Sequence, residues 1–183
     1  MQRPLLVTTF DVWEPHQRSN SSDDLLQAAI EAGIMPSHTH YQRHLPVDLD
    51  LAPQRVIAAI SELNPSHLLC LGMAESRLYL ELESNGCLEG DSLYTPFDLE
   101  SLVQRLSVTR ISHDAGQFVC NHLYYAVLRY IQSRQVLCQS LFIHVPRLQG
   151  HTLTPILNDF STILRTIQNE GQEVPRPFTW ETV

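Results

Sequence analysis

The chemistry this chain can offer starts with a cysteine and a histidine. Phe118-Val119-Cys120-Asn121-His122-Leu123 puts a thiol where an apolar loop turns into an amphipathic helix. Phe142-Ile143-His144-Val145-Pro146 puts an imidazole inside a short apolar strand. A thiol at a helix N-terminus feels the positive end of the helix dipole, which favours the thiolate. An imidazole on a neighbouring strand can take its proton and later return it. The expected chemistry is therefore attack by sulfur on an acyl group. Cys120 would be the nucleophile, lowered in pKa and alkylated before the other cysteines, with His144 as its base. His122 is the local competitor, but on a helix it projects about 200° away from Cys120. A third group should orient the base. Glu81, Glu83 and Glu89 are available, and spacing alone does not choose among them.

The elements that must position these residues alternate between strand and helix periods. Leu5 to Thr9 reads as a strand. Ser21 or Ser22 caps a helix that Gly33 closes, and a second strand ends near His44 to Val47. Pro53 opens a helix stopped by Asn64-Pro65, and His67 to Gly72 is a strand apolar on both faces. Arg77 to Cys87 alternates loosely and ends in a hairpin or bulge signal at Ser84-Asn85-Gly86. A helical stretch over Leu99 to Leu106, a strand over Val108 to Ile111, the Cys120 helix and a strand over Ser140 to Val145 follow. Thr154-Pro155 opens a last helix closed by Gly171, and 171–183 is an extended tail. Such alternation predicts an α/β fold, one domain over 1–183, with a largely parallel sheet and helices on both faces. Sites in such sheets lie at the carboxyl ends of strands, where Phe10, Gly72, Cys120 and His144 all fall.

Composition narrows the function classes. A net charge of −8 without any basic cluster excludes nucleic acid as the main partner. Apolar runs are strand-length, so no membrane span is expected, and the apolar stretch after Met1-Gln2-Arg3-Pro4 is too short for a secretory signal. A cytoplasmic location is the expectation. The four cysteines form no CxxC pair and are expected as free thiols, with Cys70 and Cys138 packed in the core. His38, His40 and His44 have strand spacing but no Cys or Asp to complete a metal site. Gly116 before a helix is too weak a signal for a phosphate loop. Neither metal nor cofactor is called for.

These segments together resemble the pyroglutamyl peptidase I family, the pyrrolidone-carboxylate peptidases, which are cytosolic cysteine peptidases. Leu6 to Trp13 resembles the family's opening strand and loop, T-G-F-x-P-F, and Pro65 to Arg77 its third strand and following loop. Ser112 to Tyr125 is similar to S-x-x-A-G-x-F-V-C-N-x-x-x-Y, and Phe142 to Pro146 to the segment bearing the family's histidine. The similarity is collinear over most of the chain.

The resemblance implies a three-layer α/β/α sandwich with a mostly parallel central sheet. It also implies a Glu-Cys-His triad whose glutamate stands six residues after the arginine. Counting from Arg77 gives Glu83, so Glu83, Cys120 and His144 are the implied catalytic set. Phe10, Trp13, Phe118 and Val119 occupy the positions of an apolar pocket for a pyroglutamyl ring. A peptide with N-terminal pyroglutamate is the implied substrate, and a homodimer or homotetramer the implied assembly. The chain departs from the family pattern at Thr9 (glycine), Trp13 (phenylalanine), Met73 (glutamine) and Glu75-Ser76 (Gly-Gly). It also lacks an arginine in Ser84 to Glu89. Two functions follow: an exopeptidase removing pyroglutamyl residues, or a protein of the same fold with little peptidase activity that binds or hydrolyses another small cyclic amide.

Overall fold

The structure is a computed structural model that describes residues 3–170, so the helix stop at Gly171 and the extended tail over 171–183 lie outside the described residues. Eight strands and five helices follow in the order β1 (Leu5–Phe10), α1 (Ser21–Glu31), β2 (Thr39–Leu45), α2 (Leu51–Leu63), β3 (His67–Met73), β4 (Leu80–Glu83), β5 (Asn85–Leu88), β6 (Asp91–Tyr94), α3 (Leu99–Val103), β7 (Thr109–Ser112), α4 (Val119–Ser133), β8 (Gln139–Val145) and α5 (Gly150–Glu170). Six strands form one sheet in the order β2-β1-β3-β8-β4-β7. The first four run parallel, and β4 turns against β8 with β7 parallel to it. The result is an α/β fold with a mostly parallel central sheet, as the alternation of elements predicts.

Side-chain alternation divides the core into two layers. Val7, Leu69, Leu71, Leu82, Leu141, Ile143 and Val145 meet α1 and α5 on one face. Leu6, Phe10, Leu68, Cys70 and Phe142 meet α2 and α4 on the other. Continuous apolarity in β3 thus reflects burial on both sides. Because Cys70, Gly72, Phe142 and His144 alternate with residues of the first layer, the chemistry-bearing side chains share the α4 face.

Local rules explain most boundaries, and three sequence expectations are corrected. Asn20, not Ser21 or Ser22, caps α1: its side chain accepts from Ser22 N at 3.1 Å, which satisfies a free N–H of the first turn. The hairpin joins β5 to β6 at Glu89-Gly90, both with positive φ (51° and 86°), the conformation that suits the twist of two-residue hairpins. Asn85-Gly86 instead lies inside β5. A Cβ on Gly86 would stand 2.6 Å from Tyr125 N, so the glycine serves close approach of the hairpin to α4 rather than a turn. Finally, α5 begins at Gly150 and carries Pro155 within it. Thr152 Oγ1 accepting from Gln149 N extends the helix upstream of the proline.

One buried carboxylate fastens α5 to the sheet edge. Asp159 accepts from Ser107 N, Ser107 Oγ, Val108 N and Thr109 Oγ1 at 2.7–3.0 Å. Burial alone would raise its pKa, but these donors outweigh it and hold the group below the usual aspartate value of 3.8. Its stabilisation is therefore present above that value and lost as pH falls through the lower folded pKa. Asp159→Asn should cost about 2 kcal/mol in urea unfolding at pH 7. The gap from the parent should narrow below about pH 4. An equal gap at both pH values would show that charge plays no part.

Candidate active site

The site forms where the carboxyl ends of β1, β3 and β8 meet the N-terminus of α4. Register sets its first pair: Gly72 of β3 lies opposite His144 of β8, and β4 brings Glu81 opposite His144 from the other side. Glu81 and Glu83 share one face, as their spacing requires, yet it is Glu83 that meets the imidazole. Glu83 Oε1 stands 2.6 Å from His144 Nδ1, with Glu83 fully buried and His144 nearly so.

Burial would raise the Glu83 carboxyl, but the hydrogen bond and charge of His144, with help from Ser112 and Arg77, hold it below its ordinary value. An ionised carboxylate only accepts, so Nδ1 must donate, which leaves Nε2 as the ring nitrogen that Glu83 does not engage. Phe142 packs against the His144 ring at 4.9 Å between centroids, and Tyr124 backs Phe142 at 5.6 Å, which fixes the imidazole plane.

Arg77 completes this arrangement. Its Nη1 donates to Glu83 Oε1 at 2.8 Å and to Ser112 Oγ at 3.1 Å, and also bonds Glu81. Its Nη2 donates to Asp114 O at 2.6 Å, tying the guanidinium to the loop that leads into α4. Sequence reasoning used Arg77 only as a marker for counting to Glu83. Its signal was a cation upstream of two carboxylates on one strand face. Glu89, the third carboxylate considered, sits in the β5–β6 turn and takes no part.

Cys120 is the second residue of α4. Its sulfur rests on β3 at Gly72: a Cβ there would stand 2.8 Å from Cys120 Sγ and 2.7 Å from the tip of Phe142. Glycine is thus the one residue that lets sulfur approach the strand beside His144. Asn121 pins the start of α4, accepting from Cys87 N at 2.8 Å and donating to Cys87 O at 2.6 Å, so that the β5–β6 hairpin is bound edge-on to the helix. Gly72 was expected at the site only from its place at a strand end, and Asn121 was not singled out; the register and the hairpin packing give each its role.

The thiol departs from expectation. Burial, then the Glu83 charge, push Cys120 up to about 12, so the helix N-terminus does not lower it as the sequence suggested. Cys70 and Cys138 are likewise raised to about 12 by burial. All four cysteines are free.

A cavity of about 150 Å³ opens onto this set, lined by Phe10, Trp13, Phe118, Val119, Cys120 and His144 among others, with Met73 and Asn20 at its margins. No residue lining it is charged when His144 is neutral. Phe10 and Val119 are buried; Trp13 and Phe118 are half-exposed and pack on each other at 5.1 Å. Trp13 thus forms a wall of the cavity rather than filling it, and the hairpin after Glu83 packs on α4 instead of crossing it. The first N–H groups of α4 receive no side-chain cap. They face the turn at Gly116 to Phe118, where Gly116 takes φ +83°.

Among the described residues no cluster of His, Cys, Asp and Glu could hold a metal, and His44 turns out of strand register at φ 56°. No helix among them is long and apolar enough to cross a membrane.

Because burial protects the thiol form, alkylation of Cys120 by iodoacetamide should rise about tenfold per pH unit from 7 to 9 without a plateau. A plateau already at pH 7 would restore the lowered pKa expected from sequence. Gly72→Ala should lower stability by about 1–3 kcal/mol in chemical denaturation, since sulfur and Phe142 must both shift. An unchanged midpoint would show that the strand surface can give way.

The chain is similar to known proteins in sequence and in fold. The family model described as pyroglutamyl peptidase matches residues 99–164, the stretch from α3 through most of α5. Pyrrolidone-carboxylate peptidase 2 of Caldanaerobacter subterraneus subsp. tengcongensis is 27% identical over 177 residues, covering 81% of this chain and 84% of that protein. The pyrrolidone-carboxylate peptidase of Bacillus cereus is 30% identical over 113 residues, covering 48% of this chain and 53% of that one. Among solved structures, pyroglutamyl peptidase I of Bacillus amyloliquefaciens matches with a TM-score of 0.79 at 18% identity, over 94% of this chain and 100% of that one. A mutant pyrrolidone carboxyl peptidase of Pyrococcus furiosus gives 0.77 at 17% identity, over 91% and 99%. In sequence and in fold, this chain resembles the pyroglutamyl peptidases.

Proposed function

We propose that this chain is a cysteine exopeptidase of one domain that removes an N-terminal pyroglutamyl residue from peptides, with Cys120, His144 and Glu83 as its catalytic residues. The observation that carries the reading is a buried carboxylate–imidazole pair and a cysteine on one apolar cavity, in a fold shared with peptidases of that specificity. A cytoplasmic location and a homodimeric or homotetrameric assembly belong to the same reading, on the resemblance alone.

The mechanism follows from the protonated resting thiol. Cys120 and His144 share the cavity without a hydrogen bond between them, so the sulfur must turn toward Nε2 when substrate enters. His144 Nε2 takes the thiol proton as Sγ attacks the scissile carbonyl carbon. Backbone N–H groups at the uncapped start of α4 stabilise the oxyanion, each worth roughly 3 kcal/mol. The imidazolium then protonates the leaving amine, the C–N bond breaks and a thioester remains. Water, deprotonated by His144, attacks the thioester, and the thiol recovers its proton as pyroglutamate leaves. Glu83 keeps Nδ1 as the donor side and stabilises the imidazolium, as an orienting carboxylate does.

Specificity follows from the cavity. Phe10, Trp13, Phe118 and Val119 form apolar walls suited to one small flat lactam. A glutamyl group would bring an ammonium and a carboxylate into a site with no partner for either. That Trp13 lines the cavity rather than occupying it favours turnover over the binding-only reading.

A pyroglutamyl-linked fluorogenic amide tests the proposal. The chain should hydrolyse it in preference to glutamyl and prolyl amides. Cys120→Ala should abolish turnover, and His144→Ala should cost at least about 10³-fold in kcat. Glu83→Gln should cost less, about 10²-fold, since the base survives with its orientation loosened. Full activity in His144→Ala would refute the scheme. Absence of turnover by the parent, with lactam binding intact, would give the binding-only reading.

A further inference from the structure

The wall residue Trp13 sits in a segment, residues 11–19, that forms neither helix nor strand. What holds its tip is a short relay. Gln17 Oε1 accepts from both Trp13 N and Glu14 N at 3.2 Å, and Gln17 N donates to Glu14 O at 3.0 Å. The same amide donates through Nε2 to Glu75 Oε1 at 2.7 Å. His16 Nε2 lies 3.3 Å from the other oxygen, Glu75 Oε2. Glu75 follows β3, two residues after Met73 at the cavity margin. Among the described residues, Glu75 is the sole side chain outside the segment that hydrogen-bonds residues 12–17. The two hydrogen bonds, from Gln17 first and His16 next, also keep its carboxyl below the usual glutamate range, so it is ionised and a strong acceptor.

We propose that Glu75 is a positioning residue: acting through Gln17, it fixes the Trp13 loop and so sets how tightly the cavity holds the acyl ring. The inference rests on reading the cavity as the acyl site. A clamp by both carboxylate oxygens on a loop that is otherwise held at its ends and by the packing of Trp13 on Phe118 reduces the number of conformations from which Trp13 must be recruited, and that loss of freedom is recovered as binding. The Gln17 carboxamide suits this role because one oxygen serves two backbone donors while its nitrogen remains free to reach Glu75.

The test uses the full chain carrying Trp180→Phe, which leaves Trp13 as its single tryptophan. Three readouts are compared in Glu75→Ala, Gln17→Ala, the double variant and Glu75→Gln: acrylamide quenching of Trp13, its fluorescence response to 2-pyrrolidone, and KM against kcat for a pyroglutamyl amide. Glu75→Ala and Gln17→Ala should each raise quenching about twofold and weaken 2-pyrrolidone binding and KM about fivefold, with kcat within twofold. The double variant should be no worse than either single one, because both cut the same relay. Glu75→Gln keeps an acceptor oxygen for Gln17 and should recover most of the loss. Unchanged quenching or lactam binding in Glu75→Ala, with the parent binding 2-pyrrolidone, would overturn the positioning role. A parent that binds 2-pyrrolidone but hydrolyses no pyroglutamyl amide would instead sink the peptidase reading while the quenching and binding comparison still decides the role of Glu75.

Discussion

A carboxylate with no solvent exposure stays ionised only if the protein replaces the water it has lost. Glu83 is such a group, and the rest of the site depends on how that replacement is arranged. His144 and Arg77 share one of its oxygens, while the other, Oε2, is buried without a partner. The compensation is thus strong on one side and incomplete on the other, a pattern common where polar groups serve chemistry rather than stability. Removing either donor would leave a buried charge short of support, which typically costs 3–5 kcal/mol. Arg77 spreads that dependence further, because the same guanidinium holds the Ser112–Asp114 turn that leads to α4.

The Cys120 side answers to sterics rather than charge. Gly72 opens a gap in the β3 surface, Phe142 and Cys120 fill it, and Asn121 clamps the helix start against the hairpin. Sulfur is held close to the strand that neighbours His144, but in surroundings that keep its proton on. A site of this kind resembles a hydroxyl nucleophile with a base more than a preformed thiolate–imidazolium pair. In the proposed reaction, activation is then tied to the entry of substrate.

Much of this was legible in the chain. Alternating periods gave the sheet and its helices. The residues Phe10, Trp13, Phe118 and Val119, singled out by resemblance, do line one cavity with Cys120 and His144. Three things were not legible in the residues by themselves, each for a physical reason. The choice between Glu81 and Glu83, which only the resemblance made, is a matter of register across an antiparallel pair that spacing within one strand does not encode. Asn85-Gly86 carries the commonest hairpin signal, yet here the glycine answers to a helix backbone brought in from forty residues away. The Cys120 pKa is a property of its packed surroundings: a helix dipole can be read from sequence, but the desolvation that outweighs it cannot.

In the proposed mechanism, ionised Glu83 fixes His144 with its proton on Nδ1 and Nε2 free toward Cys120. Nitrogen-15 NMR of histidine-labelled protein tests this directly. For neutral His144, the expected result is a protonated Nδ1 bearing a low-field, slowly exchanging proton, an unprotonated Nε2, and loss of that low-field signal in Glu83→Gln. A neutral His144 protonated on Nε2 would contradict it.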